Sequence, residues 1–167
     1  VVVNMVAARS PGACSALGLA EFEIPHDFDE AAIAETGGMK VPPATGRVDL
    51  RDLPFVTIDG ADARDFDDAV LAEPRDAGGW VIRVAIADVA HYVRPGTALD
   101  REAKRRGNSV YLPDRVVPML PEALSNDLCS LRPHEPRASM VAEITLDDSG
   151  EMISHRFERA LIRSAAR

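Results

Sequence analysis

Ten residues, WVIRVAIADV at 80–89, constrain the fold more than any other part of the chain. In an extended segment Trp80, Ile82, Val84 and Ile86 share one face, and Val81, Ala85, Ala87 and Val89 take the other. A strand that is apolar on both faces belongs inside a sheet, so partners are expected on either side. DDAVLAE (67–73) offers one, across the turn Asp76-Ala77-Gly78-Gly79. MVAEITL (140–146) alternates as another. After a turn at Asp148-Ser149-Gly150, EMISHRFERALI reads as its hairpin partner. PFVTID (54–59), short, apolar and rich in β-branched residues, is expected to be a further strand.

Helices are fewer. Residues 27–38 read as a short helix with Asp27 as cap, Glu30 three residues on, and Gly37-Gly38 as its end. VPPATG follows as linker, because Pro42-Pro43 cannot continue a helix. TALDREAKRRG is a second helix, with Thr97 as cap, Asp100 closing a capping box and Gly107 as stop. Residues 1–20 open on a strand-like Val1-Val2-Val3 and pass into SPGACSALG, read as the tail of something upstream. No internal repeat is visible. Strands outnumber helices without regular βαβ alternation. The expected class is therefore α+β, with a mixed, mainly antiparallel sheet and a few short helices.

At 167 residues and 18.0 kDa there is room for one domain with a real core, but not for two full-sized ones. Apolar residues at 46% and charged residues at 28% exclude wholesale disorder. No apolar run approaches the ~18 residues of a membrane helix, and VVVNMV lacks the basic lead of a signal peptide. Cys14 and Cys129 fit no metal spacing, which points to a reducing cytoplasm. The net charge of −8 means that any nucleic acid is held locally or by parts outside this chain. The chain starts with Val in an apolar run and stops at Arg167 in a segment that reads as structured, so a fragment is expected.

The chemistry concentrates in TIDGADARDFDDAV (57–70), where Asp59, Asp62, Asp65, Asp67 and Asp68 place five carboxylates within ten residues against the single cation Arg64. Like charges this close raise one another's pKa. In a cleft, the repulsion is answered by protonation or by a hard cation with oxygen ligands, magnesium or manganese. Gly60 permits a bend after Asp59, and a curled loop converges four carboxylates on one or two metals, the arrangement that phosphodiester cleavage needs. Two plainer readings stand beside this one. A calcium-binding EF-hand loop fails, because Ala61 and Ala63 stand where acids are required. A solvated acidic surface loop remains open.

Arg101, Lys104 and Arg105 share a face of the second helix at i, i+3 and i+4, with Arg106 beside them. They read either as a phosphate contact or as a solvated face whose cations suit the helix C-terminus. Tyr111, in NSVYLPDR, either stacks on a base or packs half-buried. His91 and His155 lack metal-spaced partners and read as structural. Cys129 reads as a small buried apolar residue.

Two long stretches, VDLRDLPFVTIDGADARDFDDAVLAE and IRVAIADVAHYVRPGTALDREAKRRGNSVYLPDRVVPMLPEALSNDLCSLRP, closely resemble the entry to the catalytic domain (RNB domain) of the ribonuclease II and ribonuclease R family. RDFDDA and ADVAHYV look more like the ribonuclease R branch. The resemblance covers about residues 20–167, and several motifs occur in order. It implies a hydrolytic, processive 3′→5′ exoribonuclease that uses Mg2+ (Mn2+ possible) and releases nucleoside 5′-monophosphates from single-stranded RNA in the cytoplasm. No membrane and no obligate protein partner is implied. Asp59, Asp65, Asp67 and Asp68 would be the catalytic and metal-binding aspartates, with Asp67 acting close to the scissile phosphate. Asp62 falls outside the family's four and is expected to be exposed. Tyr111 matches the family tyrosine that stacks on RNA near the 3′ end.

The implied organisation is a remnant of an upstream barrel at 1–20, a linker with a short helix at 21–47, and the N-terminal part of the RNB domain at 48–167. A downstream tyrosine, arginine and carboxylate of the family, and its RNA-binding barrels, lie outside this sequence, so the segment alone is expected to be inactive. Asp127 stands where ribonuclease R relatives often carry Gly, and no functional meaning attaches to it. The alternative is a non-catalytic RNA-binding or scaffold relative that keeps the fold. The presence of all four aspartates argues against it.

Overall fold

Trp80–Ala87 forms an interior strand, as its two apolar faces require. The computed structural model describes residues 10–61 and 63–167. By contacts they divide into two compact units, one of residues up to Gly38 together with Val93–Glu122, the other of Met39–Tyr92 together with Ala123–Arg167. The units are not consecutive in sequence: the chain leaves the second unit after Tyr92 and re-enters it at Ala123.

The second unit holds a five-stranded sheet in the order β1-β7-β6-β3-β2, comprising β1 Val48–Asp49, β2 Asp68–Pro74, β3 Trp80–Ala87, β6 Pro136–Leu146 and β7 Met152–Arg163. All of its pairings are antiparallel except β1 with β7. The expected α+β class is what forms. On one face Ala85 pairs with Val141, and Ala87 with Ser139 and through it Ala160, all buried. The opposite face leaves Trp80, Ile86, Met140 and Phe157 exposed. The β2–β3 and β6–β7 turns interlock. Gly79, at φ 78°, donates its N–H to Asp148 Oδ1 at 2.7 Å, and a Cβ there would lie 2.1 Å from the Leu146 carbonyl oxygen.

Two strand expectations change. Residues 54–59 do not form a continuous strand. Only Val56 bridges, to Val70 of β2 on one side and to Ala166, beyond β7, on the other. Pro54 has no N–H to donate, and the backbone after Thr57 turns into the acidic loop. β6 begins at Pro136, earlier than the apolar alternation suggests, because the Arg137 side chain is buried by internal partners rather than exposed.

The first unit contains α1 Pro11–Glu21, α2 Glu30–Thr36, α4 Ala98–Arg106 and a small hairpin of β4 Val110–Tyr111 with β5 Val116–Val117; the short α3, Val89–Tyr92, closes the second unit's first segment. Val1–Val3 lie outside the described residues. The small-residue stretch read as a trailing piece is a helix, started by Ser10 as N-cap and Pro11 in its first turn. The cap of α2 is Asp29, whose Oδ1 accepts the Ala31 N–H at 2.8 Å, not Asp27. α4 starts at Thr97 as expected, but Asp100 Oδ2 accepts from Gly96 N rather than closing the box on Thr97. Glu35 of α2 completes the start of α4. Its two oxygens accept the N–H groups of Ala98 and Leu99 at 2.8 and 2.9 Å, and those bonds hold its carboxyl below the usual range.

Candidate active site

The acidic loop hangs between two fixed points in the second unit. At its start, Val56 and Val70 exchange backbone hydrogen bonds of 3.0 and 2.8 Å, and Thr57 N–H donates to Ala166 O. At its end Asp68 enters β2 opposite Ile86. Between these points a turn closes from Ala63 N to Gly60 O, and the Arg167 guanidinium donates to the Gly60 carbonyl. Phe66 drives its ring into the core, 6% exposed, with the Arg167 guanidinium 4.9 Å from the ring centroid. The Phe66 side chain therefore anchors the loop between Asp65 and Asp67.

Backbone bonds fix the same stretch. Ser130 Oγ accepts from Phe66 N at 3.1 Å and donates to Arg64 O at 2.8 Å. Leu131 N donates to Phe66 O, and Ala87 N to Asp67 O. The segment that delivers Ser130 leaves a single π turn, Leu124–Leu128, in which Cys129 N reaches back to Leu124 O.

The charges of Asp65 and Asp68 reach both Asp59 and Asp67, and that of Asp59 reaches Asp67. Burial and then the charges of Asp68 and Asp65 push the Asp59 carboxyl up, and Arg167 opposes them. The Asp67 carboxyl is pushed up by desolvation, then by Asp65, Asp68 and Asp59. One Asp59 oxygen, Oδ2, is buried with no hydrogen-bond partner. Such an orphaned acceptor among like charges is what a hard cation would satisfy. Among the described residues, no three His, Cys, Asp or Glu side chains already stand as a ligand set. Asp62 lies outside the described residues, so its expected exposure goes untested.

The other candidate residues fall elsewhere. Tyr111 belongs to the first unit, and its 68% exposure excludes half-buried packing. The cations of α4 are engaged locally. Lys104 pairs with Asp100 at 2.9 Å, Arg105 and Arg106 both pair with Glu102, and Arg101 donates to the Gly96 carbonyl. Arg106 also lies 3.6 Å from the centre of the Phe28 ring. His91 and His155 make ring contacts with Tyr92 and Phe157. Cys129 is buried, and burial, with Asp67 and Asp88 adding, pushes its thiol up to about 12.

Three residues around the loop escaped the sequence reading. Asp88, fully buried, receives the Arg47 guanidinium at 2.7 Å and ties the end of β3 to the chain before β1. Ser130 and Arg137 hold the loop from below. No spacing rule singles them out: Ser130 bonds residues more than sixty positions away, and Arg137 bonds local carbonyls and the nearby carboxylates of Asp127 and Glu135.

The RNB domain model matches residues 47–167, which include the whole acidic loop. Ribonuclease R of Escherichia coli (strain K12) is 54% identical over 155 residues, 90% of this chain and 19% of that protein. The chain thus spans about a fifth of the length of the curated relatives it matches. Among solved structures, Mycoplasma genitalium RNase R in complex with ribose methylated single-stranded RNA aligns at a TM-score of 0.89 and 36% identity, over 95% of this chain and 25% of that one. Yeast Ssd1, a pseudonuclease, aligns at 0.67 and 22% identity over 75% of this chain and 16% of its own, a likeness of fold alone.

Proposed function

Since the chain belongs to the RNB domain family, we propose that it is a segment of a ribonuclease R-type 3′→5′ exoribonuclease that hydrolyses single-stranded RNA to nucleoside 5′-monophosphates. The observation that carries this reading is the acidic loop itself, whose aspartates press on the carboxyls of Asp59 and Asp67 inside the family-matched span. Asp59, Asp65, Asp67 and Asp68 would hold Mg2+, or Mn2+ in its place. Their all-oxygen donor set and the orphaned Asp59 Oδ2 suit a hard cation. When bound, the metal supplies phosphate positioning, water activation and charge neutralisation at the leaving oxygen.

The chain's own residues do the rest. The clamped backbone of Arg64–Phe66 holds Asp65 and Asp67 on either side of an anchored Phe66. Desolvation and the charges of Asp65, Asp68 and Asp59 push the Asp67 carboxyl up, and a cation beside it would favour its charged form. Water attacks the phosphorus of the 3′-terminal nucleotide, and the 3′ oxygen of the preceding nucleotide leaves with a proton. Tyr111 offers an exposed ring for stacking on a base, a contact of ~1–3 kcal/mol. Tyr111→Ala is expected to lengthen the limit product on gels of exhaustive digests while leaving hydrolysis intact. No helix among the described residues is long and apolar enough to cross a membrane. Cys14 and Cys129 are not joined in a disulfide, which suits a reducing cytoplasm as the place of action.

The deciding experiment is Asp67→Asn in the full-length protein. The amide keeps the shape and removes the charge. Release of monophosphates should fall by ~10²-fold or more, while RNA binding persists because phosphate contacts elsewhere dominate affinity. Turnover at the parental rate would overturn the role of Asp67, whereas a parent that binds RNA and releases no monophosphates would favour the non-catalytic RNA-binding relative.

A further inference from the structure

The acidic loop does not hold its own shape. At Arg64 and Phe66 its backbone bonds go to Ser130 and Leu131, more than sixty residues downstream. Ser130, fully buried, is the hub of that contact: one hydroxyl accepts from Phe66 N and donates to Arg64 O, spanning the residue between them, Asp65. Leu131 N adds the Phe66 carbonyl at 2.8 Å. Ser130 is itself immobilised by Arg137, whose side chain is 5% exposed. Arg137 Nε donates to the carbonyls of Ser130 and Asp127 at 2.9 and 3.0 Å, Nη1 to that of Pro136, and Nη2 to Asp127 Oδ1 and Glu135 Oε2. A buried guanidinium with this many acceptors is a rigid support.

We propose that Ser130 is a positioning residue for the metal-binding loop: its hydroxyl, held by the Arg137 clamp, sets the Arg64–Phe66 backbone and thereby the aim of Asp65 and Asp67. The inference rests on the reading of the loop as a metal site and adds to it a residue that touches neither metal nor RNA. Groups of this kind, one layer behind the ligands, change metal affinity by ~10–100-fold when lost.

The test uses the full-length protein and two readouts, Mn2+ binding followed by the free-ion EPR signal and the Mg2+ concentration for half-maximal turnover. Ser130→Ala should weaken Mn2+ binding ~10–100-fold and raise the Mg2+ requirement by a similar factor. Much of the turnover should return at high Mg2+, and RNA affinity in EDTA should stay within about twofold of the parent. Ser130→Cys keeps a donor and acceptor on a slightly larger atom and weakens both bonds; it should shift both readouts in the same direction by less, and it decides the matter if the alanine variant does not fold.

Mn2+ affinity unchanged within about twofold would overturn the proposal, whatever happens to turnover. So would failure of both variants to fold, which would make Ser130 a packing residue. Asp67→Asn run alongside separates the two claims. If it binds Mn2+ and turns over like the parent, the metal-site reading itself falls. If it loses both while Ser130→Ala loses neither, only the role of Ser130 falls.

Discussion

The acidic loop and helix α4 are the two most charge-dense stretches of the chain, and they resolve their charge in opposite ways. In α4 each basic side chain finds an acceptor within one or two turns: Lys104 on Asp100, Arg105 and Arg106 on Glu102, Arg101 on the Gly96 carbonyl. Asp100 and Glu102 are accordingly held below the usual carboxylate range by hydrogen bonds from those cations. In the loop the neighbouring charges that act on Asp67 are carboxylates, and Arg167 only partly offsets them at Asp59. Charge density alone does not mark a site. Charge that the fold leaves unanswered does, because it costs stability that a bound cation or protonation returns.

Turnover separates the regions most widely. Asp67→Asn should cost ~10²-fold or more. Lys104→Gln, which breaks only an exposed pair, should leave monophosphate release within about twofold of the parent. A comparable loss from both would mean that α4 also serves the chemistry.

Stability should separate them in the other direction. Glu102 is 5% exposed in its side chain and carries both Arg105 and the 2% exposed Arg106. Glu102→Gln strands a buried guanidinium, and breaking a buried pair costs ~3–5 kcal/mol. The Phe28 ring and the Pro118 carbonyl, which also hold Arg106, place the expectation at the lower end of that range. Urea unfolding monitored on the first unit reads this directly; a change under about 0.5 kcal/mol would show that the helix network is ornamental.

The two regions should also differ in the sign of their pH dependence. Asp59 and Asp67 are raised, so their ionisation disfavours the folded state. Metal-free stability from these groups is greatest in acid and falls as pH rises from the ordinary aspartate value of 3.8 through their raised values. Glu102 and Asp100 are lowered. Their support is complete above the ordinary carboxylate values and is lost as pH falls through the depressed ones. Melting curves in EDTA should therefore show Asp67→Asn gaining on the parent toward neutral pH, and Glu102→Gln approaching the parent toward acid. Saturating Mg2+ should remove the first difference, since on the proposed metal site it would bind only the folded, ionised loop.

Sequence reading captured what local pattern encodes. The alternation of β3 placed an interior strand, and the Asp148-Ser149-Gly150 turn joined β6 to β7. It failed where long-range bonding overrode pattern. PFVTID has strand composition, yet its neighbours leave room for one bridging residue, Val56. The strand expected over 140–146 starts at Pro136, because the buried Arg137 beside it bonds the carbonyls below the loop. Ser10-Pro11 is a helix-start signal hidden by the small residues that follow. At the site, five acids in ten residues were conspicuous, but a lone serine 64 positions from Phe66 carries no period or spacing to read. Asp127, which seemed without meaning, accepts from both Arg132 and Arg137 and so strengthens the clamp behind Ser130.

The smallest expected effect bears on what α4 is for. Lys104 is 74% exposed, and its pair with Asp100 is of the i, i+4 kind that contributes ~0.3–0.5 kcal/mol. A phosphate contact would instead show in the salt dependence of RNA binding. Each phosphate neutralised on a single strand contributes ~0.7 to the slope of log affinity against log salt. Lys104→Ala in the full-length protein is expected to leave that slope unchanged, because Asp100 already occupies the ammonium and Gly96 shares the same carboxylate. A slope shallower by ~0.7 would show that RNA displaces Asp100 from Lys104. The helix would then belong with the loop as functional charge, and the contrast between answered and unanswered charge would hold only in the absence of RNA.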